Sequence, residues 1–274
     1  MTTGDTPKTF TESPRQLAEG VYWVTDCLAM EHDGETIHAY SSAYLVHGDD
    51  RSLVVDTGHP KDWPSIEAQL DRLNAAGVPP VEYLFPTHAE VPHAANLGRL
   101  LNKYPNAVAV GDIRDYHLFF PEFADRLRPM EEGARIELGG TEFLLLEAVI
   151  KDLVTSLWAY DTRSQTLFPG DGFAYMHHHQ SDECWRTAEE VPDLPIPEFT
   201  ALFSAYALYW TRFTDIEPHI AALDGLLDRY PARVIAPGHG SPILEPADTI
   251  PRVKEGLRIG SEHILDRTRS ARVA

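Results

Sequence analysis

Thiols are scarce in this chain, with Cys27 and Cys184 as its complete complement. Two cysteines cannot form a disulfide framework, which makes a reducing, cytoplasmic setting the default expectation. They are also too far apart in sequence for a local thiolate pair, so a soft-metal thiolate site is not expected. Long apolar runs are missing too. Nothing approaches the ~18 consecutive apolar residues of a membrane helix, and residues 1–20 lack the apolar centre of a secretory signal. Basic residues are outnumbered, 23 against 42 acidic, for a formal charge of -19. Such a surface repels nucleic acid phosphates and anionic lipid, so neither a nucleic acid nor a membrane is an expected partner.

What is present suits a soluble globular chain: 274 residues, 43% hydrophobic and 10% aromatic, long enough to bury a sizeable core. Residues 1–18 are polar and expected to be a flexible lead-in, residues 19–268 one domain, and residues 269–274 a tail. β-type runs are expected at 20–25, 36–46 and 52–56, then a helix over 64–76 with Ile66, Leu70 and Leu73 on one stripe. An apolar run over 81–85, a helix over 94–101 and a short strand over 107–110 follow. The chain then returns to β at 135–138, 142–147, 153–161 and 166–168. Two amphipathic helices close it, marked by Ile216, Ile220, Leu223 and Leu227 and by Ile250, Val253, Leu257 and Ile264, with a strand at 233–236 between them. Two similar halves of strands and helices point to an α/β fold of four layers, an αββα sandwich.

The densest chemistry is Thr87-His88-Ala89-Glu90-Val91-Pro92-His93, directly behind the apolar run 81–85. Two imidazoles and a carboxylate on one short loop are donors suited to zinc, manganese or iron. The same grammar, an apolar strand, a tight turn and then a ligand-type residue, recurs at Gly170-Asp171-Gly172 and Pro237-Gly238-His239-Gly240, and Asp152 precedes the apolar run at 153.

Asp56-Thr57-Gly58, His88-x-Glu90-x-x-His93, Gly170-Asp171-Gly172 and Pro237-Gly238-His239-Gly240, in this order, resemble the metallo-β-lactamase superfamily over roughly residues 20–245. Glu90, where most of that superfamily has a second histidine, is similar to the β-lactamase-like domain of flavodiiron and related oxygen-binding di-iron proteins. The resemblance implies one metal ion on His88, Glu90 and Asp152, a second on His93 and His239, and Asp171 bridging them, with Asp56 supporting the ligand loops. Asp152 is aligned by its distance from Ser156, with Glu147 as the substitute if the register slips. Pro92, which cannot ligate, stands where the family has an aspartate. One imidazole with three carboxylates is a hard, anionic set that suits iron or manganese better than zinc; iron is the favoured expectation, with zinc or manganese as alternatives. His59, His177, His178 and Tyr209 are candidates for the pocket. The run His177-His178-His179 is expected to be solvated or to touch substrate, not metal.

The resemblance implies a di-iron protein that binds or reduces O₂ or a related diatomic, or oxidises a small substrate. No flavin domain of its own is expected, so an external electron donor is, and a homodimer is an open expectation. Metal-dependent hydrolysis of an ester, thioester or lactone is the alternative, with chemistry carried by water at the metals. A non-catalytic di-iron oxygen or redox sensor is a third reading.

Overall fold

The computed structural model describes residues 14–32, 34–178, 184–191 and 193–271. Residues 1–13 of the expected lead-in, residues 272–274 of the expected tail, and His179 lie outside the described residues. The strands are β1 (Arg15–Ala18), β2 (Val21–Val24), β3 (Cys27–His32), β4 (Glu35–Tyr40), β5 (Ala43–His47), β6 (Ser52–Val55), β7 (Val81–Phe85), β8 (Val108–Gly111), β9 (Leu127–Pro129), β10 (Arg135–Glu137), β11 (Glu142–Glu147), β12 (Leu157–Asp161), β13 (Thr166–Phe168) and β14 (Val234–Ile235). The helices are α1 (Trp63–Ala75), α2 (Val91–Ala94), α3 (Leu97–Lys103), α4 (Ile196–Tyr206), α5 (Glu217–Arg229) and α6 (Pro246–Ala271).

One sheet runs β1-β2-β5-β6-β7-β8-β9, a second β10-β11-β12-β13-β14, and β3 pairs with β4 as a separate hairpin. The strand β6 is buried at every position and pairs in parallel with β7, as its unbroken Ser-Leu-Val-Val run requires. The two sheets face each other across an aromatic core, where Tyr44 meets Phe168 and Phe85 meets Phe143 edge-on, ring centroids 5.6 Å apart in each pair. Ile66 and Leu70 of α1 and Leu97 and Leu101 of α3 cover the outer face of the first sheet. Phe199 and Phe203 of α4, Ile220 and Leu223 of α5, and Val253 and Leu257 of α6 cover the second. The four layers are those of the expected αββα sandwich. No helix among the described residues is long and apolar enough to cross a membrane.

The departures from expectation have local causes. Residues 15–18 form a strand because they pair with β2, and Arg15 is anchored by two hydrogen bonds to Glu190 at 2.6 and 2.8 Å. The run 36–46 breaks at Ser41-Ser42. There the Ser42 N–H donates to Gly238 O at 2.9 Å, and Ser42 Oγ accepts from Trp23 Nε1, taking the backbone out of the ladder. The helix expected over 94–101 is split at Asn96, whose side-chain amide donates to the Thr57 and Gly58 carbonyls at 3.0 and 2.9 Å. The strand expected from residue 153 starts at Leu157. Asp152 Oδ1 accepts from Leu153 N and Ser156 Oγ at 2.8 and 2.9 Å, which closes a turn in place of a ladder. Strand β3 and helix α4 were not expected, although Ile196, Phe199, Thr200 and Phe203 follow helical spacing and are buried.

Candidate metal centre

Strand ends bring the candidate ligands to one edge of the sandwich. Asp56 follows β6, the loop 86–93 follows β7, Asp152 precedes β12, Asp171 follows β13 and His239 follows β14. Three backbone hydrogen bonds tie these loops together: Leu157 N to Thr87 O at 2.9 Å and Ser42 N to Gly238 O at 2.9 Å between the two sheets, and Gly238 N to Gly170 O at 2.8 Å within the second. Gly238 has to lack a side chain, because a Cβ there would stand 2.5 Å from His93 Cε1. Pro92 occupies the first turn of α2, where its missing N–H costs nothing, and Glu90 is the residue that precedes that helix.

Ligand-type atoms of His88, His93 and Asp171 lie within 4.8 Å of one another, and so do those of His88, Glu90, Asp152 and Asp171. His88 Nε2 is 3.3 Å from Asp152 Oδ2 and 4.0 Å from Asp171 Oδ2. On the other side of the same carboxylate, Asp171 Oδ1 is 3.3 Å from His93 Nε2 and 3.8 Å from His239 Nε2. The aspartate thus faces two separate clusters with its two oxygens. Glu147 is exposed at the end of β11 and is not in either cluster.

The donor set fits metal ions. His88 Nε2, His93 Nε2, Asp152 Oδ2 and Asp171 Oδ1 are all buried and make no hydrogen bond within the protein, although each has a neighbour of opposite character. Buried polar atoms are nearly always satisfied, and these four orphans, grouped within 4.8 Å of one another in two overlapping clusters, are donors a cation would satisfy. Their other ends are held. His93 Nδ1 lies 2.9 Å from Asp56 Oδ2, while Asp56 Oδ1 accepts from Thr87 N at 2.7 Å and Thr87 Oγ1 at 2.9 Å. His239 Nδ1 donates to Tyr40 O at 2.6 Å. A carboxylate behind His93 and a carbonyl behind His239 fix the tautomer that turns Nε2 inward, while His88 Nδ1 faces the Thr87 hydroxyl at 3.1 Å. Asp56 itself adopts a left-handed φ of 55°, a conformation costly for a non-glycine residue and kept here by its three hydrogen-bonded contacts.

The electrostatics follow from burial and charge. Burial, reinforced by the neighbouring His93, pulls the His88 imidazole down to about 4 despite the nearby aspartates. Burial also lowers His239, partly offset by Asp171. Burial would lower His93 as well, but Asp56 and Asp171 outweigh it and raise it well above the ordinary histidine value. Burial opposes ionisation of Asp171, yet the surrounding histidines hold its carboxyl well below the usual range. Burial and the two neighbouring aspartates raise Glu90. These shifts set a pH dependence for the metal-free protein. Below about pH 6.5 an unfolded histidine takes up a proton that folded His88 and His239 refuse, so stability drops as pH falls towards the folded values. His93 is protonated in both states there and adds no slope. Each refused proton contributes about 1.4 kcal/mol per pH unit. Urea unfolding of metal-free protein between pH 7 and 5 is expected to show this loss, and H88Q to show a shallower one.

Contacts that sequence reasoning missed complete the site. Phe203 of α4 packs on His239, ring centroids 5.3 Å apart. Trp210 Nε1 donates to Lys151 O at 2.6 Å and so fixes the residue before Asp152. The four pocket candidates have the following surroundings. His59 Nδ1 accepts from Lys61 N at 3.2 Å and caps a short helical turn. His177 is buried and stacks on Tyr40 at 4.7 Å. His178 is exposed and meets Phe199 edge-on at 4.9 Å. Tyr209, expected at the pocket, is 60% exposed, and it is the next residue that reaches inward.

Residues 38–157 match the profile of the metallo-beta-lactamase superfamily. The chain is 26% identical over 252 residues to the coenzyme F420H(2) oxidase of Methanothermobacter marburgensis, covering 86% of this chain and 59% of that protein. It is 24% identical over 258 residues to the enzyme of the same name from Methanocaldococcus jannaschii, with 86% and 58% covered. The chain therefore spans about three fifths of the length of these relatives. Among solved structures, rubredoxin oxygen:oxidoreductase from Desulfovibrio gigas superposes with a TM-score of 0.73 at 15% identity, covering 89% of this chain and 60% of that one. The flavodiiron protein from Giardia intestinalis gives 0.69 at 19% identity, covering 92% and 60%. Residues 38–157 thus resemble the metallo-beta-lactamase superfamily, and the chain has the fold found in the matched part of these two solved structures.

Proposed function

We propose that this chain holds two iron ions and acts as an oxidoreductase that reduces O₂ or a related diatomic, with electrons from an external reductant. His88, Glu90, Asp152 and Asp171 would hold one ion, and His93, His239 and Asp171 the other. The observation that carries the reading is the composition of the first cluster, in which three carboxylates surround the single imidazole of His88. Carboxylates are hard donors, suit iron or manganese better than zinc, and weaken the Lewis acidity a hydrolase needs. The names of the relatives, oxidases of coenzyme F420H(2), support the same class of chemistry.

When bound, iron supplies the one-electron steps, and the protein supplies geometry and charge. Asp56 and Tyr40 hold the Nδ1 sides of His93 and His239, so both imidazoles present Nε2 without reorganising. Asp171 supplies the negative charge between the two clusters. The second cluster has one ligand fewer, three against four, which leaves that side for a small ligand. Phe203 and the buried backbone around Gly238 keep bulk water from it.

The test is to load iron, reduce under argon and admit O₂ while following absorbance. Reversible bleaching and recovery with consumption of O₂ is expected. Steady turnover of esters or thioesters by the zinc form, with no redox response in the iron form, would replace this reading by the hydrolase. Asp152→Ala is expected to lose about one metal equivalent by elemental analysis, and unchanged metal content would remove Asp152 from the set.

A further inference from the structure

The two cysteines meet in space. Cys27 opens β3, and its thiol lies within hydrogen-bonding reach of the Cys184 thiol, on the segment that follows the histidine run. Both are half-buried, and Cys27 Sγ is 3.2 Å from His38 Nδ1. A sulfur pair in mutual contact with a ring nitrogen beside it has the parts for thiol–disulfide exchange. The metal centre uses neither thiol.

We propose that Cys27 and Cys184 form a reversible dithiol–disulfide couple whose reactants are low-molecular-weight disulfides. The Cys184 sulfur attacks one sulfur of the small disulfide. The S–S bond of the reagent breaks, a mixed disulfide forms on Cys184, and one small thiol leaves with the Cys184 proton. Cys27 then attacks the Cys184 sulfur and passes its proton by way of His38 Nδ1. The protein disulfide forms as the second small thiol departs. Two electrons move from the protein thiols to the two released thiols, and an external dithiol reverses the sequence. The hydrogen bond with Cys184, reinforced by burial, raises the Cys27 thiol above its usual range, consistent with its acting second, as the resolving partner.

The couple borders the metal centre without sharing a ligand. Cys27 is paired with Tyr40 across the β3–β4 hairpin, and the Tyr40 carbonyl accepts from His239 Nδ1. Trp185, next to Cys184, donates its N–H to the Tyr40 hydroxyl at 3.0 Å and packs on Trp23 with ring centroids 5.6 Å apart. Oxidation therefore ties together two segments already joined through Tyr40.

The experiment treats the intact metal-loaded protein with oxidised glutathione, then measures free thiols, intact mass and non-reduced peptides. Both thiols are expected to disappear together, with loss of two hydrogens, no retained glutathione, and one peptide joining Cys27 to Cys184 within a single chain. Dithiothreitol should restore both. Cys27→Ser should keep a stable glutathione adduct on Cys184, Cys184→Ser should react far more slowly because only the resolving thiol remains, and both should keep the wild-type metal content. Glutathione retained by the unaltered protein, a cross-link between two chains, or thiols that survive treatment and titrate only after unfolding would each overturn the proposal. Loss of metal from Cys27→Ser would do so too, by making the thiol a ligand.

Discussion

Asp171→Asn is expected to abolish binding of both metal ions while leaving the fold intact. Its two oxygens face different clusters, Oδ2 towards His88 at 4.0 Å and Oδ1 towards His93 and His239 at 3.3 and 3.8 Å. The amide has nearly the same shape but no charge and a single acceptor oxygen. It therefore cannot satisfy both sides, and it leaves the His93 imidazolium with Asp56 alone. Elemental analysis should fall from two metal equivalents per chain to near none, with far-ultraviolet circular dichroism unchanged. Loss of one equivalent only would mean that Asp171 serves a single ion and that the bridging role is misassigned.

Asp56→Ala is expected to be the most destabilising single change at the site, and to act even in the absence of metal. The carboxylate is 2% exposed and makes three close contacts, to Thr87 N, Thr87 Oγ1 and His93 Nδ1. Removing it leaves the buried imidazolium with Asp171 alone and Thr87 N and Oγ1 without their acceptor, and breaking one half of a buried pair costs about 3–5 kcal/mol. The urea midpoint of metal-free protein should drop accordingly. Asp56→Asn should drop less, because it keeps an acceptor for Thr87. Equal effects of the two substitutions would show that the charge facing His93, which both remove, carries the whole effect and that the Thr87 contacts add nothing. Both variants should also bind the second metal ion more weakly, since the His93 ring loses the group that orients it.

Much of this was legible in the chain because ligands at strand ends announce themselves by local grammar. Asp56-Thr57-Gly58, the histidine loop after β7, Gly170-Asp171-Gly172 and Pro237-Gly238-His239-Gly240 each put a polar residue after an apolar run, and all four converge. Asp152 was harder, since no glycine turn marks it. The structure places it by the hydrogen bonds of its own turn and by Trp210, which lies far away in sequence. Tyr209 and Trp210 show the limit of the reading. Adjacent aromatics look alike in sequence, and only the packing decides which one points inward. The cysteines show the same limit at longer range. Sequence separation says nothing about distance once a hairpin and a loop fold onto the same tyrosine. Strand β3 was invisible because Cys-Leu-Ala-Met-Glu-His carries little β-branched character; it exists because β4 pairs with it residue by residue.

The most direct measurement is an anomalous difference map from crystals of protein produced without added metal, recorded above and below the iron absorption edge. Two iron peaks are expected, one among His88, Glu90 and Asp152 and one between His93 and His239, with Asp171 between them. No peak at that edge of the sandwich, or density with the signature of zinc alone, would contradict the di-iron centre.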